Sequence, residues 1–224
     1  MSERLHRSLT DEIRSKEALA IYDCKLNDVE HTAAAGVRTV KELGYEAFTF
    51  NPIFGNAEDL AREARAAGLH VFSLIHPSSG PSARVYRTRT QEGTMLYELL
   101  LEQSLSAGIE GYVVGLSGGD EGKVLRDVRR RAGEEAVILV PGLGAQGGDP
   151  RLAALYGGER ILPVFGRTVT SSQDPVSASR ELAEKTGSMR EFYTAVKALA
   201  SAENVVVRSR EPIRLSSGRL SNYY

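Results

Sequence analysis

Short apolar runs rich in β-branched and aromatic residues alternate along the chain with longer stretches of helical period. That alternation predicts βαβ units and a parallel sheet. The strands are expected at Leu19–Asp23, Ala47–Phe50, Leu69–Ile75, Tyr112–Leu116, Val137–Val140 and Ile161–Phe165. Between two of them, Asn56 stands where an N-cap belongs, Asp59 follows three residues on, Glu58 and Arg62 are spaced as an i,i+4 pair, and Gly68 sits at the C′ position. Thr94–Ala107 repeats apolar residues at helical spacing and stops at Gly108. Six β/α units are therefore predicted.

A doubly wound sheet and a (β/α)8 barrel both produce this rhythm. The polar and glycine-rich residues favour the barrel. They follow nearly every strand (DCKLND, NPIFGN, HPSSGPS, PGLGAQGGD, FGRTVTSS), as in a site assembled from many strand ends. From Ser188 to Tyr224 the rhythm breaks: a helix, Met189–Ala200, leads into a polar segment ending SSGRLSNYY. This divides the chain into 1–186 and 187–224.

Composition narrows the class of protein without naming a function. The 224 residues carry 28 basic and 29 acidic side chains, a net charge of −1, so no global field draws the chain to nucleic acid or to an anionic membrane. Arg126, Arg129, Arg130 and Arg131 read as a solvated helix face. The single cysteine, Cys24, leaves no internal disulfide framework. The sequence has no bilayer-length apolar run and no signal-like start. The expected location is the cytoplasm.

The densest chemistry lies in YDCKLNDVEHT, residues 22–32. Asp23 and Lys25 are two apart at a strand end, so in extended backbone they project to one side, with Asp28 in the loop beyond. Two carboxylates and an ammonium this close can pass a proton, although a surface ion pair would have the same spacing. The glycines of PGLGAQGGDP let backbone N–H groups approach an anion, and Arg167, after the next strand, can complete a phosphate site. Turn glycines alone account for neither Gln146 nor Arg167. His31, His70 and His76 read as a helix-start, a strand-edge and a loop residue, with no metal-ligand spacing.

In order and spacing, DCKLND, PGLGAQGGDP and the later FGR resemble the motifs of the orotidine 5'-monophosphate decarboxylase family, over residues from about 17 to 183. The resemblance implies a (β/α)8 TIM-type barrel that converts orotidylate to UMP and CO2 with no metal and no cofactor. It implies Lys25 as proton donor to C6, Asp23 facing the substrate carboxylate, and Asp28 with Thr32 reaching the neighbouring subunit's site in a homodimer. Gln146, Gly166 and Arg167 correspond to the phosphate end. Ser78 falls where the family places a serine against the pyrimidine ring.

The chain also departs from the family. There, two strands precede the D-x-K-x-x-D strand and supply an aspartate for the ribose and the first lysine of a Lys-Asp-Lys-Asp array. Here the eighteen residues before Leu19 read as one helix, and Lys16 is too close to Asp23 to stand in for that lysine. The barrel is therefore expected to be incomplete, with the first two strands missing. EPIRLSSGRLSNYY resembles the first hairpin of orotate phosphoribosyltransferase, implying a decarboxylase–transferase fusion cut short at both ends. Two rival readings remain at this point: a related Mg2+-dependent sugar-phosphate barrel enzyme sharing D-x-K-x-x-D, and a non-catalytic remnant that binds nucleotide phosphate or only dimerises.

Overall fold

Helix α1 (Glu3–Ser15) precedes six strands, each followed by at least one helix: β1 (Ile21–Leu26), α2 (Glu30–Glu42), β2 (Ala47–Phe50), α3 (Ala57–Ala67), β3 (His70–His76), α4 (Gly80–Tyr86), α5 (Leu96–Ser106), β4 (Gly111–Val114), α6 (Lys123–Ala132), β5 (Val137–Pro141), α7 (Pro150–Gly157), β6 (Ile161–Val164), α8 (Arg167–Thr170) and α9 (Pro175–Ala202). Strands β7 (Arg208–Arg214) and β8 (Leu220–Tyr223) follow as an antiparallel pair. The computed structural model describes residues 2–116, 122–143, 148–202, 208–214 and 220–223. Helix α9 runs through residues 186 and 187 without interruption.

All six strands of the main sheet are parallel, in the order β1-β2-β3-β4-β5-β6. Each strand lies beside its predecessor, so the sheet never reverses as a doubly wound sheet does, and it curls in one sense as a (β/α) barrel does. Among the described residues six strands stand where a closed barrel has eight, and β1 and β6 are the sheet's edges.

Strands β2 and β4 are buried along their whole length, which is why they read as unbroken apolar runs. One apolar core gathers Ile75, Leu101, Tyr112, Leu125, Val128 and Ile138 beneath α5, α6 and α7, and a second gathers Val37, Val40, Phe48, Phe50, Leu60 and Ala64 beneath α2 and α3. Helix α1 docks on the turn that enters β2, where Thr10 donates to the Leu43 carbonyl at 3.2 Å and His6 Nδ1 lies 2.8 Å from the Tyr45 hydroxyl. This anchors it at the opposite end of the sheet from the polar loops. Among the described residues no helix is long and apolar enough to cross a membrane.

Several local expectations change. Asn56 precedes α3 but makes no capping bond; its Nδ2 donates instead to the Asp28 carbonyl at 2.9 Å. Arg62 pairs with Asp59 rather than Glu58. His76 is the last residue of β3 and fully buried, not a loop residue. Arg129 is buried rather than solvated: its guanidinium donates to the carbonyls of Gly157 and Gly133 at 2.7 Å and of Ala136 at 2.8 Å.

Candidate active site

Strand β1 does not end at Asp23 as the apolar run suggests; it continues through Lys25 to Leu26. It does so around a bulge. Tyr22 pairs with Phe48 and Leu26 with Phe50, so Asp23, Cys24 and Lys25 all face the single residue Thr49. Lys25 takes a φ of +47°, the left-handed region, which costs a residue with a Cβ of order 1–2 kcal/mol. No glycine marks the place, so the sequence carries no sign of the bulge.

The bulge brings the two side chains of the motif together. Lys25 Nζ donates to both Asp23 oxygens, at 2.9 and 2.8 Å. Their side chains are 51% and 65% exposed, so the pair contributes only about 0.2–1 kcal/mol to stability. That does not exceed the backbone strain, and strain held without gain to the fold is a mark of a functional position. Thr49, buried on β2, accepts from the Lys25 backbone N–H at 2.8 Å and donates to Asp23 Oδ1 at 2.8 Å.

These residues face a cavity of about 670 Å3 on the concave side of the sheet. Leu74, Val113 and Leu139 form an apolar floor, and Asp23, Lys25, Thr49, Asn51, Ser78 and Tyr86 supply the polar groups. Ile21 of β1 and Val164 of β6 line the same cavity, so it spans the sheet from edge to edge. Asn51 Oδ1 accepts from Ile53 N at 3.3 Å and from the Tyr86 hydroxyl at 3.2 Å, which turns the amide so that its Nδ2 is left as donor. Burial raises the Tyr86 phenol above its ordinary value, and the bond to Asn51 lowers it by less. Ser78 reaches the rim because Gly115 directly follows β4. A Cβ there would lie 2.2 Å from Ser78 N and 2.5 Å from the Pro77 carbonyl carbon.

The remaining predicted residues sit around this centre. Asp28 lies in the loop after β1, where its carboxylate accepts from Val29 N at 2.7 Å, and Thr32 is exposed on the first turn of α2. Gly166 precedes the four-residue helix α8, and Arg167, exposed, begins it just past the end of β6. Asp28, Thr32 and Arg167 do not line the cavity. Gln146 falls in 144–147, outside the described residues. The base of that loop is pinched: Gly148 N donates to the Gly142 carbonyl at 3.1 Å. Thr49, Asn51 and Tyr86 also belong to the site, and no motif in the sequence marks them. Thr49 and Asn51 could have been found, because they are the polar residues of AFTFN, two apart on one face of a strand that is otherwise apolar.

A parallel sheet curled one way, with an ammonium and a carboxylate gathered at the carboxyl ends of its strands, defines a protein of the (β/α)-barrel class. The profile of the orotidine 5'-phosphate decarboxylase / HUMPS family matches residues 1–182, and the chain belongs to that family. The orotidine 5'-phosphate decarboxylase of Thermoplasma volcanium is 30% identical over 175 residues, which is 76% of this chain and 73% of that protein. The enzyme of the same name from Salinispora tropica is 30% identical over 190 residues, 78% of this chain and 66% of that one. Among solved structures, Leishmania donovani UMP synthase superposes with a TM-score of 0.69 at 29% identity, covering 96% of this chain and 50% of that one. The Plasmodium berghei orotidine 5'-monophosphate decarboxylase shares the fold, with a TM-score of 0.71 at 17% identity over 84% of this chain and 62% of that one. The chain thus spans about two thirds to three quarters of these two curated relatives and about half to three fifths of these two solved chains.

Proposed function

We propose that the chain carries the site of an orotidine 5'-phosphate decarboxylase, which converts orotidylate to UMP and CO2. The observation that carries this reading is the Lys25 ammonium, held against Asp23 at the mouth of a cavity with an apolar floor. The bond from C6 to the carboxylate carbon breaks, CO2 leaves, and the electron pair remains on C6. A fixed ammonium at that carbon stabilises charge that develops in the transition state, then delivers its proton to C6. Asp23 orients the ammonium and faces the departing carboxylate, and Ser78 meets the pyrimidine ring. Gln146, Gly166 and Arg167 hold the phosphate, whose binding energy serves closure and orientation.

The site is completed across a homodimer in which Asp28 and Thr32 approach the partner's cavity. Exposed Val29, beside Asp28, and exposed Ile53 and Phe54, just past the neighbouring strand, support an interface on that face. Residues 187–224 begin an orotate phosphoribosyltransferase-like domain. Coverage of 96% against a UMP synthase supports this, because residues 1–186 alone cannot supply it. Decarboxylase and transferase segments thus follow one another in one chain, whose location is the cytoplasm. Residues 1–224 hold no counterpart of the family's ribose-binding aspartate or first lysine, so by themselves they are expected to decarboxylate orotidylate slowly. Residues acting as a unit fail together.

The two edges of the sheet favour a second reading, a binding protein without turnover, since β1 and β6 each lack a neighbour on one side among the described residues. One comparison separates the readings. Orotidylate and a pentulose phosphate with Mg2+ are each incubated with the chain, and UMP and the pentulose phosphate are each titrated against it. Binding of UMP, with slow orotidylate turnover lost in Lys25→Ala, is the outcome expected of a decarboxylase. UMP binding with no turnover of either compound supports the remnant. Preference for the sugar phosphate in the presence of Mg2+ overturns both.

A further inference from the structure

We propose that Thr49 is the positioning residue of this site, the one side chain that fixes where the Lys25 ammonium points. The inference rests on the reading of Lys25 as the acting group. At the bulge three residues of β1 oppose Thr49 alone, so the Lys25 N–H has no place in the regular ladder. Thr49 Oγ1 takes that N–H at 2.8 Å and gives its own proton to Asp23 Oδ1 at 2.8 Å. One hydroxyl therefore clamps both ends of the motif: the left-handed backbone of Lys25, and the carboxylate that receives Nζ. Thr49 is 2% exposed in a strand whose other residues are Ala47, Phe48 and Phe50. A buried hydroxyl among such neighbours is costly unless bonded, and both of its bonds go to the site.

Without the hydroxyl the strained backbone of Lys25 loses its anchor and Asp23 its fixed rotamer. The ammonium then leaves the carboxylate for solvent. A valine at 49 preserves shape and branching while removing both bonds, and a serine keeps both.

The test reads Lys25 directly and needs no turnover. Wild type, Thr49→Val and Thr49→Ser are trace-labelled with acetic anhydride. Mass spectrometry then gives the acetylation of Lys25 relative to the exposed Lys16 and Lys185 of the same molecules. Thr49→Val should raise the Lys25 ratio about 1.4- to fivefold, the range that release from an exposed ion pair is worth. Thr49→Ser should return it to the wild-type value. An unchanged ratio in Thr49→Val, or a raised one in Thr49→Ser, overturns the assignment. Should Thr49→Val fail to fold, hydrogen exchange on the wild type decides: the Lys25 amide should be protected although it lies in an edge strand, and exchange at the rate of an open loop overturns it. UMP binding and orotidylate turnover measured on the same wild-type sample keep the two readings apart. Loss of the decarboxylase reading shows as no UMP binding, or as binding without turnover, whatever the labelling ratio does.

Discussion

At the scale of single residues, Arg129 shows what a buried charge does in this fold. Its guanidinium bonds carbonyls from Gly133 and Ala136 and from Gly157, joining the end of α6, the entry to β5 and the end of α7. Burial lowers its pKa, and the nearby Glu134 raises it by less. Replacing it with methionine would keep the volume and orphan these carbonyls, so Arg129→Met should cost about 2–4 kcal/mol, read as a lower urea midpoint with little change in slope. The sequence hid this role because a buried arginine has the same letters around it as an exposed one. Position was the usable sign, since Arg129 continues the stripe of Leu125 and Val128.

Two tyrosines set a pH limit. Tyr97 and Tyr112 are pushed from the ordinary 10 up to about 12, chiefly by burial, with Asp127 and Glu98 adding to the first and Glu110 to the second. A phenol raised in the folded state favours the fold while it stays neutral. That contribution is complete below pH 10 and is lost as pH climbs toward about 12. Tyrosinate absorbance should therefore show a late-ionising class whose titration coincides with loss of folded circular dichroism. Ionisation of every tyrosine near pH 10 with the fold intact would contradict the burial.

At the scale of elements, the strands were legible because a strand buried on both faces reads as an apolar run, and β2 begins and ends where its run does. The apolar run of β1 stops short of the strand's end because its second half carries the site: Asp23, Lys25 and the bulge all break the apolar signal there. Sites are where local patterns are expected to conflict with the fold. The loop after β3 depends on a different residue, Gly115. Gly115→Ala would drive a methyl into the Pro77–Ser78 backbone, at 2.2–2.5 Å. It should cost about 1–3 kcal/mol in overpacking and displace Ser78 from the rim, so UMP affinity should fall along with the urea midpoint. Unaltered affinity would remove Ser78 from the site.

At the scale of the whole molecule, the alternation of elements left two architectures open, and the strand order chose between them, because neighbours in sequence are neighbours in the sheet. No local pattern encodes that order. Assembly is the next level. An interface around Asp28 should appear in sedimentation as a dimer, and Phe54→Asp should shift it toward monomer by burying an unpaired charge. A folded monomer at working concentration would contradict that placement. One site, with its phosphate end beyond β6 and its ammonium on β1, is proposed to accept a pyrimidine nucleotide. The most direct measurement is calorimetric titration of UMP into the wild-type chain and into Arg167→Ala. Binding should be weak but measurable and should fall about tenfold or more in the variant, as loss of a charge-assisted bond to phosphate requires. Absence of binding, or binding indifferent to Arg167, would contradict it.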